Sequence, residues 1–176
     1  IDDITRTLDD ILSLARIGRT GEVAEPVNLV ALVEMIAEEF HDLGEDVALA
    51  DAPRIVAPLQ LTWIRRALRN VIGNAVRYGG RARVSIAPGS GSSSGSVAIT
   101  IDDDGPGIPD DRIEQMFEPF TRLEASRNVA TGGTGLGLTL ARAIAHQHGG
   151  SLTLQNRRGA GGVVEGLRAV LTLPVG

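Results

Sequence analysis

"RARVSIAPGSGSSSGSVAITIDDDGPGIP", residues 81–109, holds the decision about the fold in its middle. The glycine- and serine-rich run 88–96 reads either as a linker between two domains or as the loop of a long hairpin. Its flanks decide. Ala82, Val84 and Ile86 before it, and Val97, Ile99 and Ile101 after it, alternate with period two, the mark of half-buried strands. Two such strands across a polar loop make a hairpin. Further alternating runs at 151–156 and 166–174, with helical patterns at 58–78 and 137–148, mix both element types. The expected class is α+β: a two-layer sandwich of a mixed, mostly antiparallel sheet with helices on one face, preceded by a helix.

Toward the N-terminus, "PVNLVALVEMIAEEF" (26–40) enters as a short strand and turns into a helix. Asn28 is its expected cap, Val27 and Leu32 a hydrophobic staple, and Gly44 its stop. "DVALA" and "RIVA" read as short strands, and Pro58 as the first residue of the next helix. Residues 20–25 read as a linker. Before them Ile1, Ile4, Leu8, Ile11 and Ala15 repeat at coiled-coil spacing, so residues 1–19 read as part of a helical hairpin whose partner helix lies outside this sequence.

Composition removes several functions. With 43% hydrophobic residues the chain is globular, and its net charge of −5 argues against nucleic acid as a partner. There is no cysteine, which excludes disulfides and thiolate chemistry. All 17 basic residues are arginine, so mechanisms needing a lysine, such as the P-loop, are excluded too.

Three places carry candidate chemistry. On the helix 58–78, Asn70, Asn74, Arg77 and Tyr78 recur at i, i+4, i+7 and i+8 and share a face opposite Ile64, Leu68, Val71 and Ala75. The amide oxygens of Asn70 and Asn74 could serve a hard cation such as magnesium, or could simply be solvated. In "ITIDDDGPGIP", the parity of Val97, Ile99 and Ile101 turns Asp103 inward, as an acceptor for an exocyclic amine or as a turn aspartate before Gly105 and Gly107. "FEPF" spends Phe117 and Phe120 on either satellite packing or the anchor of a mobile lid, and the polar stretch after it runs to "GGTGLGL", residues 132–138. Glycines opening a helix offer free N–H groups to an anion.

The ordered set "NVIGNAVRYG", "DDGPGI", "FEPF" and "GTGLGL" resembles the ATP-binding catalytic domain of two-component sensor histidine kinases. That group sits within the gyrase, chaperone, histidine-kinase and mismatch-repair ATPase superfamily. The resemblance implies a Bergerat-type ATP-binding fold over residues 26–176, a dimerisation helix over 1–19, and Mg2+ and ATP as ligands. It implies that Asn74 and Asn70 hold magnesium and that Arg77 stands near the phosphates with Tyr78 beside it. Asp103 would read the adenine amine, with Gly105, Gly107 and Ile108 shaping the base pocket. Phe117 and Phe120 would border a lid hinged and lined by Gly133, Thr134, Gly135, Leu136, Gly137 and Leu138, spanning about Arg122 to Thr134.

The ATPase and serine-kinase branches carry a glutamate four residues before the magnesium asparagine. Here Asn70 stands there, and an amide cannot act as that base. The implied reaction is transfer of the γ-phosphoryl group to a histidine on the dimerisation helices of its own kinase, then to a response regulator receiver domain. Hydrolysis, serine phosphorylation and an inactive nucleotide-binding module remain the alternatives. His41 is followed by Asp42, but Glu45 and Asp46 break the phosphoacceptor pattern; His146 and His148 read as surface or packing residues. The phosphoacceptor is expected outside this sequence, in a membrane-anchored homodimer whose catalytic part is cytoplasmic.

Overall fold

The computed structural model describes residues 2–19, 21–90, 92, 94–121 and 135–176. In chain order the elements are α1 (Asp2–Arg16), β1 (Glu25–Asn28), α2 (Leu29–Asp42), β2 (Val47–Leu49), β3 (Val56–Leu59) and α3 (Leu61–Gly79). They continue with β4 (Ala82–Pro88), β5 (Ser96–Asp102), α4 (Gly137–Gln147), β6 (Ser151–Arg158) and β7 (Val164–Pro174). Five strands form one sheet in the order β2-β4-β5-β7-β6, and β1 pairs with β3 separately. Only β2 and β4 run parallel among these pairs. The 88–96 run is indeed a hairpin loop, because β4 and β5 pair antiparallel across it.

Register explains the layering. Ile101 lies opposite Val84 and Ala169, Ile99 opposite Ile86 and Leu171, and Leu154 opposite Ala169. These aliphatic residues are buried and share one face of the sheet. Against them α3 sets Ile64, Leu68, Val71 and Ala75, all buried, as the helical spacing predicts. Packing α3 and α4 on that face closes an aliphatic core and leaves the polar face of α3 for other work.

Helix ends follow their capping chemistry. The Asn28 side chain accepts from the Ala31 N–H at 3.2 Å, as expected for the cap of α2. Pro58 does not begin α3. It lies in β3 opposite Pro26, and the helix starts at Leu61. Two facing prolines, which have no N–H to donate, fit a short isolated pair better than a central ladder. The start of α3 is capped from a distance instead: the Gln60 N–H donates to His148 Nε2 at 3.1 Å and the Thr62 N–H to Glu22 Oε1 at 3.1 Å.

Candidate functional site

Strand β5 ends by turning Asp103 inward, as its parity predicts, and the residue is 5% exposed. Its Oδ1 accepts two backbone hydrogen bonds, from Gly105 N–H at 2.9 Å and Leu167 N–H at 3.0 Å. Burial pushes the Asp103 carboxyl above its usual range, and the two donors only partly offset that. The neighbours differ. Asp102 forms a bidentate pair with Arg168 at 2.7 and 2.8 Å, and Asp104 one with Arg83 at 2.8 and 2.6 Å. The Arg83 guanidinium lowers the Asp104 carboxyl to about 2. These flanking pairs hold the strand end, and the central carboxylate keeps Oδ2 for a cavity.

That cavity has a volume of about 260 Å³ and apolar walls that include Val71, Ile101, Leu138 and Leu154, with Asp103, Gly105, Gly107 and Ile108 at one side. A flat base-sized group with one exocyclic donor suits such a lining. Asn156, not among the residues expected from the sequence, holds the loop that forms this side. Its Oδ1 accepts from Ile108 N–H at 2.9 Å, and its Nδ2 donates to Ile108 O at 2.6 Å and Asp110 Oδ1 at 2.9 Å. At Gly107 φ is +72°, and a Cβ there would run into Asn156 and Val164, so only glycine fits.

A second cavity of about 140 Å³ adjoins the first, with Arg6, Asp10, Arg69 and Asn70 along it and Gly135 and Gly137 at its border. Asn74, Arg77, Tyr78 and Leu138 line both. The shared polar face of α3 thus joins an apolar space to an arginine-rich one. Asn70 Nδ2 donates to Gly137 O at 3.3 Å, so its amide oxygen stays available. The N-cap residue of α4, Leu136, has no capping side chain of its own, and this helix start opens on the same cavity. Two neutral amide oxygens and, among the described residues, no cluster of three His, Asp or Glu make a set that fits magnesium shared with phosphates and water. It does not fit an ion held by protein alone.

Other expected residues lie elsewhere. Leu136 and Phe117 are buried in the packing behind the cavities, where Arg142 stacks 4.1 Å over the Phe117 ring. Phe120 is 60% exposed, so it is not a core aromatic. Its N–H donates to Gly135 O at 2.9 Å, and its φ of +63° is unusual for a residue with a side chain. Gly135, at φ +75°, would set a Cβ 2.7 Å from Phe120 Cα, so glycine permits this close crossing. The pair ties together the two ends of the expected lid. The lid itself, 122–134, with Gly133 and Thr134, lies outside the described residues.

Residues 60–176 match the family of Histidine kinase-, DNA gyrase B-, and HSP90-like ATPases. Over 176 residues the chain is 39% identical to the sensor histidine kinase GtrS of Pseudomonas aeruginosa, covering 99% of this chain and 34% of GtrS. The crystal structure of full-length ShkA in complex with AMPPNP superposes with a TM-score of 0.77 at 25% identity, over 98% of this chain and 36% of that one. The ATP-binding domain of PrrB from Mycobacterium tuberculosis does so with a TM-score of 0.65 at 29% identity, over 87% and 98%. The chain spans about a third of the length of GtrS. It belongs to the histidine kinase-, DNA gyrase B-, and HSP90-like ATPase family, and its relatives are sensor histidine kinases.

Proposed function

We propose that this member of the family binds Mg-ATP across the two joined cavities and transfers the γ-phosphoryl group to a histidine outside this sequence. The observation that carries the reading is the position of Asn74, which lines the apolar cavity and the arginine-rich one at once. Adenine in the first and phosphates in the second would meet at that side chain.

Asp103 Oδ2 accepts the adenine amine, and Gly105, Gly107 and Ile108 border the ring. Arg77 and the N-terminus of α4 receive the phosphates, with Tyr78, Gly135, Gly137 and Leu138 around them, and Gly133 and Thr134 in the lid. Asn74 and Asn70 would hold magnesium, whose chemistry is to neutralise charge on the phosphate oxygens. Catalysis is then mostly positioning and charge stabilisation. Asn70 supplies no base, which favours transfer over hydrolysis.

In this reading residues 1–19 belong to a dimerisation helix, 20–25 link it, and 26–176 are the catalytic domain. The partners are the histidine-bearing helices of its own kinase and a response regulator receiver domain, in a membrane-anchored homodimer with its catalytic part in the cytoplasm. No helix among the described residues is itself long and apolar enough to cross a membrane.

The test is trans-labelling. The chain, labelled ATP and magnesium are mixed with a kinase that keeps its phosphoacceptor histidine but has an inactivated ATP site. Acid-labile, base-stable label on that kinase is expected, slowly, since no tether raises the local concentration. Acid-stable label on serine or threonine, or brisk ATP hydrolysis by the chain alone, overturns the reading.

A further inference from the structure

Helix α1 meets α3 through its charged face. Arg66 of α3 donates to Asp9 Oδ2 at 2.7 Å, Asp10 Oδ1 at 2.8 Å and Ser13 Oγ at 2.6 Å. Asp10 is 8% exposed and Ser13 5%, so this contact is packed. The apolar residues Ile4, Leu8, Ile11 and Leu12 remain exposed. Residues 6, 10 and 13 recur at i, i+4 and i+7, which sets Arg6 on the docked face. On α3, Arg66, Asn70, Asn74 and Arg77 form the matching polar stripe, at i, i+4, i+8 and i+11. The two stripes together carry the arginine-rich cavity, with Arg6 at its rim.

Charge in that cavity does not balance. Among the described residues Arg6 and Arg77 take part in no ion pair, whereas Arg69 reaches Glu39 at 3.5 Å. Asp10 is the acid there, and Arg66 already engages it. Arg83, Arg158 and Arg168, by contrast, are paired with acids. Two unpaired guanidinia facing one cavity suit a phosphate, which they can bind in a bidentate manner.

We propose that Arg6 contacts the terminal phosphate of a bound nucleoside triphosphate, so that α1, latched by Arg66, forms one wall of the triphosphate site. The proposal rests on the reading of the cleft as a Mg-ATP site. It assigns to α1 part of the discrimination between ATP and ADP, since a diphosphate has no terminal group for Arg6 to meet. By reciprocity, a triphosphate must also strengthen the docking of α1 by the same factor.

The test measures affinities for ADP and for a non-hydrolysable ATP analogue, both with magnesium, by calorimetry. The proteins are the wild type, Arg6→Gln and Arg66→Gln. The ratio of analogue to ADP affinity should fall about tenfold in Arg6→Gln, as for loss of one charge-assisted contact. It should fall comparably in Arg66→Gln, which keeps Arg6 but frees the helix; Asp9→Asn, at an exposed position, loosens the same latch should Arg66→Gln fail to fold. An Arg6→Gln ratio within about twofold of wild type overturns the contact. A fall in Arg6→Gln with none in the latch variants overturns the docking role. Wild-type protein that binds neither nucleotide overturns the Mg-ATP reading itself.

Discussion

The Leu167 N–H donates to Asp103 Oδ1 at 3.0 Å, so strand β7 fixes the rotamer of a carboxylate that strand β5 delivers. With the Gly105 N–H on the same oxygen, two backbone bonds engage Oδ1, which leaves Oδ2 of this cavity-lining residue for a ligand. An ionised carboxylate only accepts hydrogen bonds, which makes this atom a selector for a donor.

Asp103→Asn separates recognition from folding. The amide oxygen can keep both backbone donors, while Nδ2 turns a donor toward the cavity. ATP affinity should drop about 10- to 100-fold, the cost of one unmet buried hydrogen bond. The melting temperature at neutral pH should rise, because burial disfavours the ionised form of Asp103. Calorimetry and thermal melts check both. Undiminished ATP binding would remove Asp103 from base recognition.

The two adjacent carboxyls give opposite pH dependences. Asp103 titrates above the usual 3.8, so its ionisation destabilises the fold as pH rises past the unfolded value toward the folded one. Asp104, lowered from 3.8 to about 2, stabilises the fold above its unfolded value and loses that contribution as pH falls through about 2. Its side chain is 41% exposed to solvent, so screening keeps that effect small. ATP affinity should therefore fall on acidification with a midpoint above 3.8, and Asp103→Asn should lack that step. Titrating both proteins across the acid range subtracts the nucleotide's own protonation. A shared midpoint would contradict the assignment.

Asn156→Ala tests the loop. It strips partners from both backbone groups of Ile108 and should cost about 1–3 kcal/mol. Denaturant melts measure that loss, and nucleotide affinity should fall with it because Gly107 and Ile108 border the base cavity. Stability and affinity both matching wild type would show that the loop holds itself.

Asp103 was legible in the sequence through strand parity, and the hairpin and the core stripe of α3 through the same periodicity. Asn156 was within reach of that parity: Leu152 and Leu154 point inward, so the residue two further along does too. Pro58 misled, because a proline suits a first helical turn and an edge strand equally well, and only the pairing with Pro26 decides. The latch of Arg66 on Asp9, Asp10 and Ser13 is a contact between residues more than 50 positions apart, and no local pattern announces it. Phe120 reads in the sequence either as satellite packing or as the anchor of a lid, and the structure leaves it 60% exposed beside its backbone bond to Gly135.

Asn74→Ala should remove the magnesium-dependent part of ATP binding, because the amide oxygen of Asn70 alone cannot hold ion and phosphates together. Titrations with magnesium and with chelator should give equal, weak affinities in this variant. A magnesium dependence like that of the wild type would move the metal elsewhere.

The central claim is an adenine-selective triphosphate site, and paired calorimetric titrations of the wild-type chain with ATP and GTP in magnesium test it most directly. Guanine presents a carbonyl oxygen where adenine presents its amine, so Asp103 Oδ2 would face an acceptor with an acceptor. ATP should bind and GTP should not, with a gap of several kcal/mol at most. Comparable affinities for the two nucleotides would contradict the account.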